Sequence, residues 1–209
     1  MNLFITYLWK EPRLFFTVAV IVMLSISAHE FMHAFTALKC GDDTAARSGH
    51  LTLNPFKQMG PFSLVLFCFF GLAWGSVPVN PQKMRGRYAP ALVAFSGPAT
   101  NLVLTQFFII LTYICFKNRI GDEFAVNMLL YAAVLNVVLF ILNMLPVPGF
   151  DGFSILTAFA PRLLKDSSEA VRGTVFLLIM LLFVFFNQLF KLAHIITSFE
   201  LTVLEWIFG

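Results

Sequence analysis

The chain has 209 residues, of which 59% are hydrophobic and only 12% charged, with a formal net charge of +3. A soluble domain carries roughly twice that share of charge, so a soluble monomer would have to leave much of its apolar surface, 26 Phe included, in water. The small, scattered positive charge excludes nucleic acid as a partner, and three separated cysteines, Cys40, Cys68 and Cys115, supply neither a disulfide framework nor a thiol metal site.

A membrane-crossing helix needs about 20 mostly apolar residues. In chain order, residues 14–38, 90–116, 124–145 and 171–190 meet that requirement. The first run is too long for a cleavable signal peptide and lacks its small-residue cleavage site. Residues 62–77 are apolar but shorter and broken by Gly71, Gly75 and Ser76, a pattern that suits a re-entrant segment better than a span. Residues 192–209 contain His194, Glu200 and Glu205, so they read either as an interfacial helix or as a poor final span.

Between the first helix and Pro90 the pattern is irregular. Residues 50–55 alternate as a short strand does, with Leu51, Thr52, Leu53 and Asn54 as its candidate substrate-binding edge, and residues 77–81 are extended around Pro78 and Pro81. Lipid does not tolerate an open strand edge, so these segments must pair, pack inside the bundle or lie at the interface. The expected fold is an all-α polytopic membrane protein: a bundle of about four to six transmembrane helices, with a re-entrant segment and short extended strands between the first two core helices.

Within the first apolar helix stands His29-Glu30-Phe31-Met32-His33, an HExxH pattern. Two His four residues apart share one helix face, about 40° apart around the axis, so both imidazoles can reach one Zn²⁺. Glu30 is turned aside by one residue, where it can hold and deprotonate a water rather than ligate. Ser25 and Thr36 extend a polar stripe along the same face. Only four His occur in the chain, and ionisable groups at membrane depth cost at least about 2.5–3.5 kcal/mol each unless paired or ligated, which favours a functional reading over a chance match. His50 and His194 lie near helix ends and read as interfacial. Asp151 is the better third ligand: it follows Asn143 and the run Pro146-Val147-Pro148-Gly149, which unwinds the end of an apolar helix and lets a carboxylate turn inward. Taken alone, Asp151-Gly152 would read as a solvated turn.

HExxH on an early helix, with Asn143, Pro146, Asp151 and Gly152 as NxxPxxxxDG on a later one, resembles the site-2 protease family of intramembrane zinc metalloproteases. Gly41-Asp42-Asp43-Thr44-Ala45, Leu51-Thr52-Leu53-Asn54-Pro55, Val77-Pro78-Val79-Asn80-Pro81 and Ser96-Gly97-Pro98-Ala99-Thr100-Asn101 extend the likeness to its small prokaryotic branch. The resemblance implies one integral-membrane metalloprotease domain over residues 1–209, with a catalytic core over about 14–155 and C-terminal helices over 156–209. It further implies one zinc per chain on His29, His33 and Asp151, Glu30 as general base, and Asn143 with Asn101 positioning substrate or stabilising the oxyanion. For Asn101, helix–helix hydrogen bonding is an equal alternative. Where that branch reads NPxxHxD, Gln58 replaces the His and Gly60 the Asp, and His50 stands where an Arg is usual. A catalytically inactive relative that binds membrane clients is the alternative these departures leave open.

If His29, His33 and Asp151 meet, their helices run in the same direction and residues 62–77 do not span. Lys39, Arg47, Lys57, Lys83, Arg85, Arg87, Arg162, Lys165 and Arg172 then share one side, against Lys10, Arg13, Lys117 and Arg119 on the other. The positive-inside rule makes the first side cytoplasmic. The expected picture is a multi-pass protein of a prokaryotic cell membrane whose site opens toward the cytoplasm. Its partners are the bilayer and a transmembrane protein or peptide substrate, and its oligomeric state is open.

Overall fold

The computed structural model describes residues 3–159 and 169–208, with side chains outside 169–186. Arg162 and Lys165 lie outside the described residues. The chain divides into two compact units, Met1–Ala89 and Pro90–Gly209.

The first unit opens with a 3-10 turn, Phe4–Thr6, and the short helix α1, Tyr7–Lys10, followed by α2, Pro12–Lys39. Pro12 sits in the first turn of α2, where its fixed φ suits the helix and its missing N–H is no loss. The Phe4 ring packs on Phe15 and Phe67 at centroid distances of 4.8 and 5.2 Å, which ties the N-terminal turn to two helices. Helix α2 buries Phe15, Val18, Ala19, Val22, Ile26, Ala34 and Ala37, together with Ser25, His29, Glu30 and His33, at the three- and four-residue spacing of one helix face. It stops at Gly41 (φ 100°), where the Gly41 N–H bonds Leu38 O at 3.0 Å and the Asp42 N–H bonds Ala37 O at 2.9 Å. A left-handed residue closing those two bonds favours glycine.

Three short helices follow: α3, Thr44–Arg47, α4, Pro55–Gln58, and α5, Gly60–Phe70. With 11 residues, α5 rises about 16 Å, half the hydrocarbon thickness of a bilayer. Gly71 (φ 75°) ends it, and the chain turns back, because Trp74 bonds Ser63 in the first turn of α5 and Ser76 bonds Gln58 just before it. Residues 62–77 are thus a helix and its return.

No strand forms among the described residues, which corrects the expectation for residues 50–55 and 77–81. The Gln58 side chain donates to the carbonyls of His50 (2.8 Å) and Thr52 (2.5 Å), taking acceptors a ladder would need. Asn54 caps α4, its side chain accepting the Phe56 N–H at 3.0 Å, so the backbone curls into a helix instead of continuing as an edge. Asn80 is extended (φ −120°, ψ 99°), yet its N–H goes to the Asp42 carboxylate rather than to a neighbouring strand.

The second unit holds α6, Ala89–Asn118, α7, Glu123–Asn143, α8, Asp151–Phe159, and α9, Glu169–Phe208. Asp122 caps α7 by accepting the Ala125 N–H at 2.9 Å. Residues 132–138 of α7 are all buried. The runs expected at 171–190 and 192–209 form one continuous helix, α9, whose Leu189, Phe190, Ala193 and Ile196 pack on Val134–Leu142 of α7. Helices α2, α6 and α7 are each long and apolar enough to cross a membrane.

Candidate metal centre

Helix periodicity sets the first part of the site. His29 and His33 lie one turn apart on the buried face of α2, with ring centroids 4.7 Å apart and Nε2 atoms 3.0 Å apart. Two nitrogens on one tetrahedral zinc at 2.0–2.1 Å lie about 3.3 Å apart, so this pair fits a shared ion after a shift of a few tenths of an ångström. Both imidazoles are buried in an apolar helix, where neutral nitrogen donors suit a borderline-soft cation.

Glu30 is also buried, and the return segment lies directly against it. A Cβ on Gly75 would meet Glu30 Cγ at 2.4 Å and Oε1 at 2.6 Å, so only glycine fits there. The segment is held on both sides of Gly75. Ser63 Oγ donates to Trp74 O at 2.7 Å and accepts the Trp74 N–H at 3.0 Å, while the Ser76 N–H donates to Gln58 O at 3.0 Å. The position of this backbone over the carboxylate is therefore set by hydrogen bonds, with the Trp74 ring packed edge-on against Phe62 at 5.9 Å. In sequence Gly75 was legible only as an interruption of an apolar run. Its partner Glu30 lies 45 residues away, and no local pattern connects them.

Asp42, fully buried beyond the end of α2, anchors the far end of the same segment. Its carboxylate accepts the Thr44 N–H (3.0 Å) and hydroxyl on one oxygen and the Asn80 N–H on the other. Burial pushes the Asp42 pKa upward, but the bonds from Asn80 and Thr44 and the nearby Lys83 charge outweigh it and hold the group below its ordinary value. Next to it, Asp43 takes Lys83 at 3.0 Å and Arg47, and Arg85 N–H bonds Cys40 O at 2.7 Å, so residues 80–85 are fastened to the end of α2.

The second unit carries Asp151, Asn143 and Asn101. After α7 the chain makes tight turns through Pro146 and Pro148, with Val147 N–H on Leu145 O (2.8 Å) and Phe150 N–H on Val147 O (3.1 Å), and Gly149 takes φ 100°. Asp151 is then the first residue of α8, partly buried. Gly152 packs so close to the end of α7 that a Cβ would meet Met144 O at 2.3 Å. This backbone approach fixes where α8, and hence Asp151, begins. Asn143 donates to Leu139 O at 3.0 Å within its own helix. Asn101 is fully buried and donates to Asn136 Oδ1 at 2.9 Å, the helix–helix bond its alternative reading calls for. Leu51, Thr52, Leu53 and Asn54 form a bend leading into α4 and offer no strand edge.

The profile of peptidase family M50 matches residues 114–186, which take in α7 and the turn to Asp151. The protein named "Putative zinc metalloprotease YwhC" of Bacillus subtilis is 33% identical over 172 residues, covering 79% of this chain and 78% of that protein. The chain belongs to peptidase family M50, the site-2 protease family. "Putative zinc metalloprotease Rip2" of Mycobacterium tuberculosis is 31% identical over 199 residues, covering 89% of this chain and 70% of that protein. The Rip2 protein of Mycolicibacterium smegmatis is 32% identical over 156 residues, covering 71% of this chain and 58% of that protein. No solved structure matches the chain. The family of the motif resemblance thus holds, and the three long apolar helices suit a membrane protein.

Proposed function

We propose that this chain is a multi-pass intramembrane endopeptidase that cleaves peptide bonds within or near transmembrane segments of other membrane proteins. His29, His33 and Asp151 hold one zinc ion, Glu30 is the general base, and the site opens toward the cytoplasm. The observation that carries the reading is the buried nitrogen pair, 3.0 Å apart, with a buried carboxylate one residue away under the Gly75 backbone.

Bound zinc supplies Lewis acidity, polarising a peptide carbonyl and making water acidic enough to lose a proton near neutral pH. The chain does the rest. Glu30 Oε1 takes the proton from the attacking water and returns it to the leaving amine. The Trp74–Ser76 backbone keeps Glu30 from swinging away and restricts bulk water above it. The family resemblance gives Asn143 the role of stabilising the developing oxyanion, with its side-chain amide as the donor. Because a helical carbonyl is shielded by its own hydrogen bond, the substrate segment must unwind before attack. The support for the cytoplasmic opening is the charge division expected from the sequence, in which Lys39, Arg47, Lys57, Lys83, Arg85 and Arg87 outnumber Lys10, Arg13, Lys117 and Arg119.

The first test is zinc per chain in detergent-purified wild type and Asp151→Ala. About one zinc in wild type and a sharply weakened site in the variant are expected. Full retention by the variant would make Asp151 a turn residue and remove it from the ligand set.

A further inference from the structure

The bend at residues 50–57 belongs to no part of the metal centre, and its depth in a bilayer follows from helix α2. From Arg13 to Lys39, the basic residues at its two ends, α2 rises about 39 Å, close to the roughly 40–45 Å of a bilayer with its headgroups. Lys39 therefore stands at headgroup level. Residues 80–85 are fastened at the same level by the Asp42–Asn80, Asp43–Lys83 and Cys40–Arg85 bonds, and the Arg85 stem lies across Gly41, 3.2 Å from where a Cβ would stand. Glu30 is nine residues further in, about 13 Å below Lys39. The end of α4 reaches that depth, because Gln58 O accepts the N–H of Ser76, the neighbour of the glycine that seats on Glu30. Residues 50–57 thus descend from the headgroups into the outer part of the acyl layer.

Two features of this platform say what it meets. Leu51, Leu53 and Phe56 are exposed, Phe56 by 73%, at the depth where an interfacial anchor buries its apolar side chains. Around them the free charge is of one sign. Lys39, Lys57, Arg85 and Arg87 are exposed and have no ion-pair partner among the described residues. Of the nearby acids, Asp42 is buried under backbone N–H donors, and Asp43 is occupied by Arg47 and Lys83. Apart from Glu30, no other acidic residue occurs between Pro12 and Asp122. A second copy would bring the same cations to the same level and be repelled. An acidic soluble segment would meet the cations and leave Phe56 and its neighbours in water. A phosphate headgroup above an acyl chain satisfies both.

We propose that this platform binds anionic phospholipid, with Lys39, Lys57, Arg85 and Arg87 on the headgroup phosphates and Leu51, Leu53 and Phe56 against the upper acyl chains. The site rests on α2 crossing the bilayer and is independent of the catalytic reading, because none of these residues belongs to the metal centre.

The test uses the full chain carrying Phe56→Trp in mixed phosphatidylcholine–phosphatidylglycerol vesicles, with one lipid or the other brominated high on its acyl chains. Bromine quenches tryptophan on contact, so the emission added to that of the native chain reports which lipid sits at the bend. Phosphatidylglycerol should be preferred by at least about fivefold, and the preference should shrink in about 1 M salt. Replacing Lys39, Lys57, Arg85 and Arg87 together by Gln should bring the ratio to about one while quenching itself persists. An unchanged unfolding temperature in neutral detergent will show that this variant folds. If it does not fold, the exposed pair Lys57→Gln and Arg87→Gln should by itself lower the preference at least about twofold. Equal quenching by the two lipids, or an undiminished preference in the folded Gln variant, overturns the proposal. So does a tryptophan at this position that neither lipid quenches, and tight binding of a soluble poly-glutamate peptide would then assign the platform to an acidic protein.

Discussion

At the scale of single residues, the chemistry depends on a carboxylate and a glycine that meet only in three dimensions. Glu30→Gln should keep zinc and abolish cleavage, since the amide cannot take a proton; wild-type turnover by this variant would remove Glu30 from the mechanism. Gly75→Ala makes a sharper test. Its methyl group would overlap Glu30 Cγ, so the base or the Trp74–Ser76 backbone must move. Cleavage of a transmembrane reporter should fall by at least about 100-fold, the share a positioned base contributes. Zinc content should stay at the wild-type level, because the atoms nearest the added methyl belong to Glu30 and not to a proposed ligand. The His pair and Glu30 were legible because ligand spacing on a helix is a local property. The glycine was not, because its constraint comes from a side chain 45 residues earlier.

At the scale of elements, short polar anchors hold a segment that has no ladder. Asp42 has a depressed pKa in the folded chain, so its stabilisation is present above the ordinary value of 3.8 and is lost as pH falls through the depressed value. Thermal unfolding in detergent should show a loss of stability in that acid range that Asp42→Asn lacks, since the variant has no proton to gain there. At neutral pH the same variant should be less stable by at least about 1.5 kcal/mol, having exchanged charge-assisted bonds for neutral ones. Gln58 is a second anchor. Although the family pattern has a His at that point, the buried Gln58 amide supplies two donors at once, and Gln58→Leu should cost about 1 kcal/mol for the two partly buried carbonyls it leaves without that donor. The strand expected at 50–55 failed for this reason. Its alternation is real, but alternation describes which way side chains point and says nothing about a side-chain amide six or eight residues on that takes the backbone acceptors.

At the scale of the molecule, apolar length dominates and buried amides add specificity. Helices α2, α6 and α7 follow the expected apolar runs to within a few residues, as they must when unsatisfied backbone is so costly in lipid. Within the second unit the Asn101–Asn136 bond joins two of them. A double-mutant cycle of Asn101→Leu and Asn136→Leu, read by unfolding in bicelles, should give a coupling of about 0.6–1.7 kcal/mol, the range for such bonds in membranes. Absence of coupling would release Asn101 from its structural role. Helix α9 shows the opposite behaviour: two segments read apart join into one helix, because a charged residue such as Lys191 interrupts an apolar run without interrupting backbone hydrogen bonding.

The sequence by itself determined membrane residence, the three long apolar helices, the His29–Glu30–His33 constellation and the family. Each rests on composition, on length or on short motifs, all of which are read from runs of contiguous residues. Tertiary structure alone decided that residues 50–55 bend instead of pairing, that Gly75 seats on Glu30, that Asp42 and Gln58 anchor the return segment, and that α9 forms one helix packed on α7. Those outcomes turn on contacts across many residues, where close packing and the satisfaction of buried polar groups select one arrangement among several that the local pattern permits.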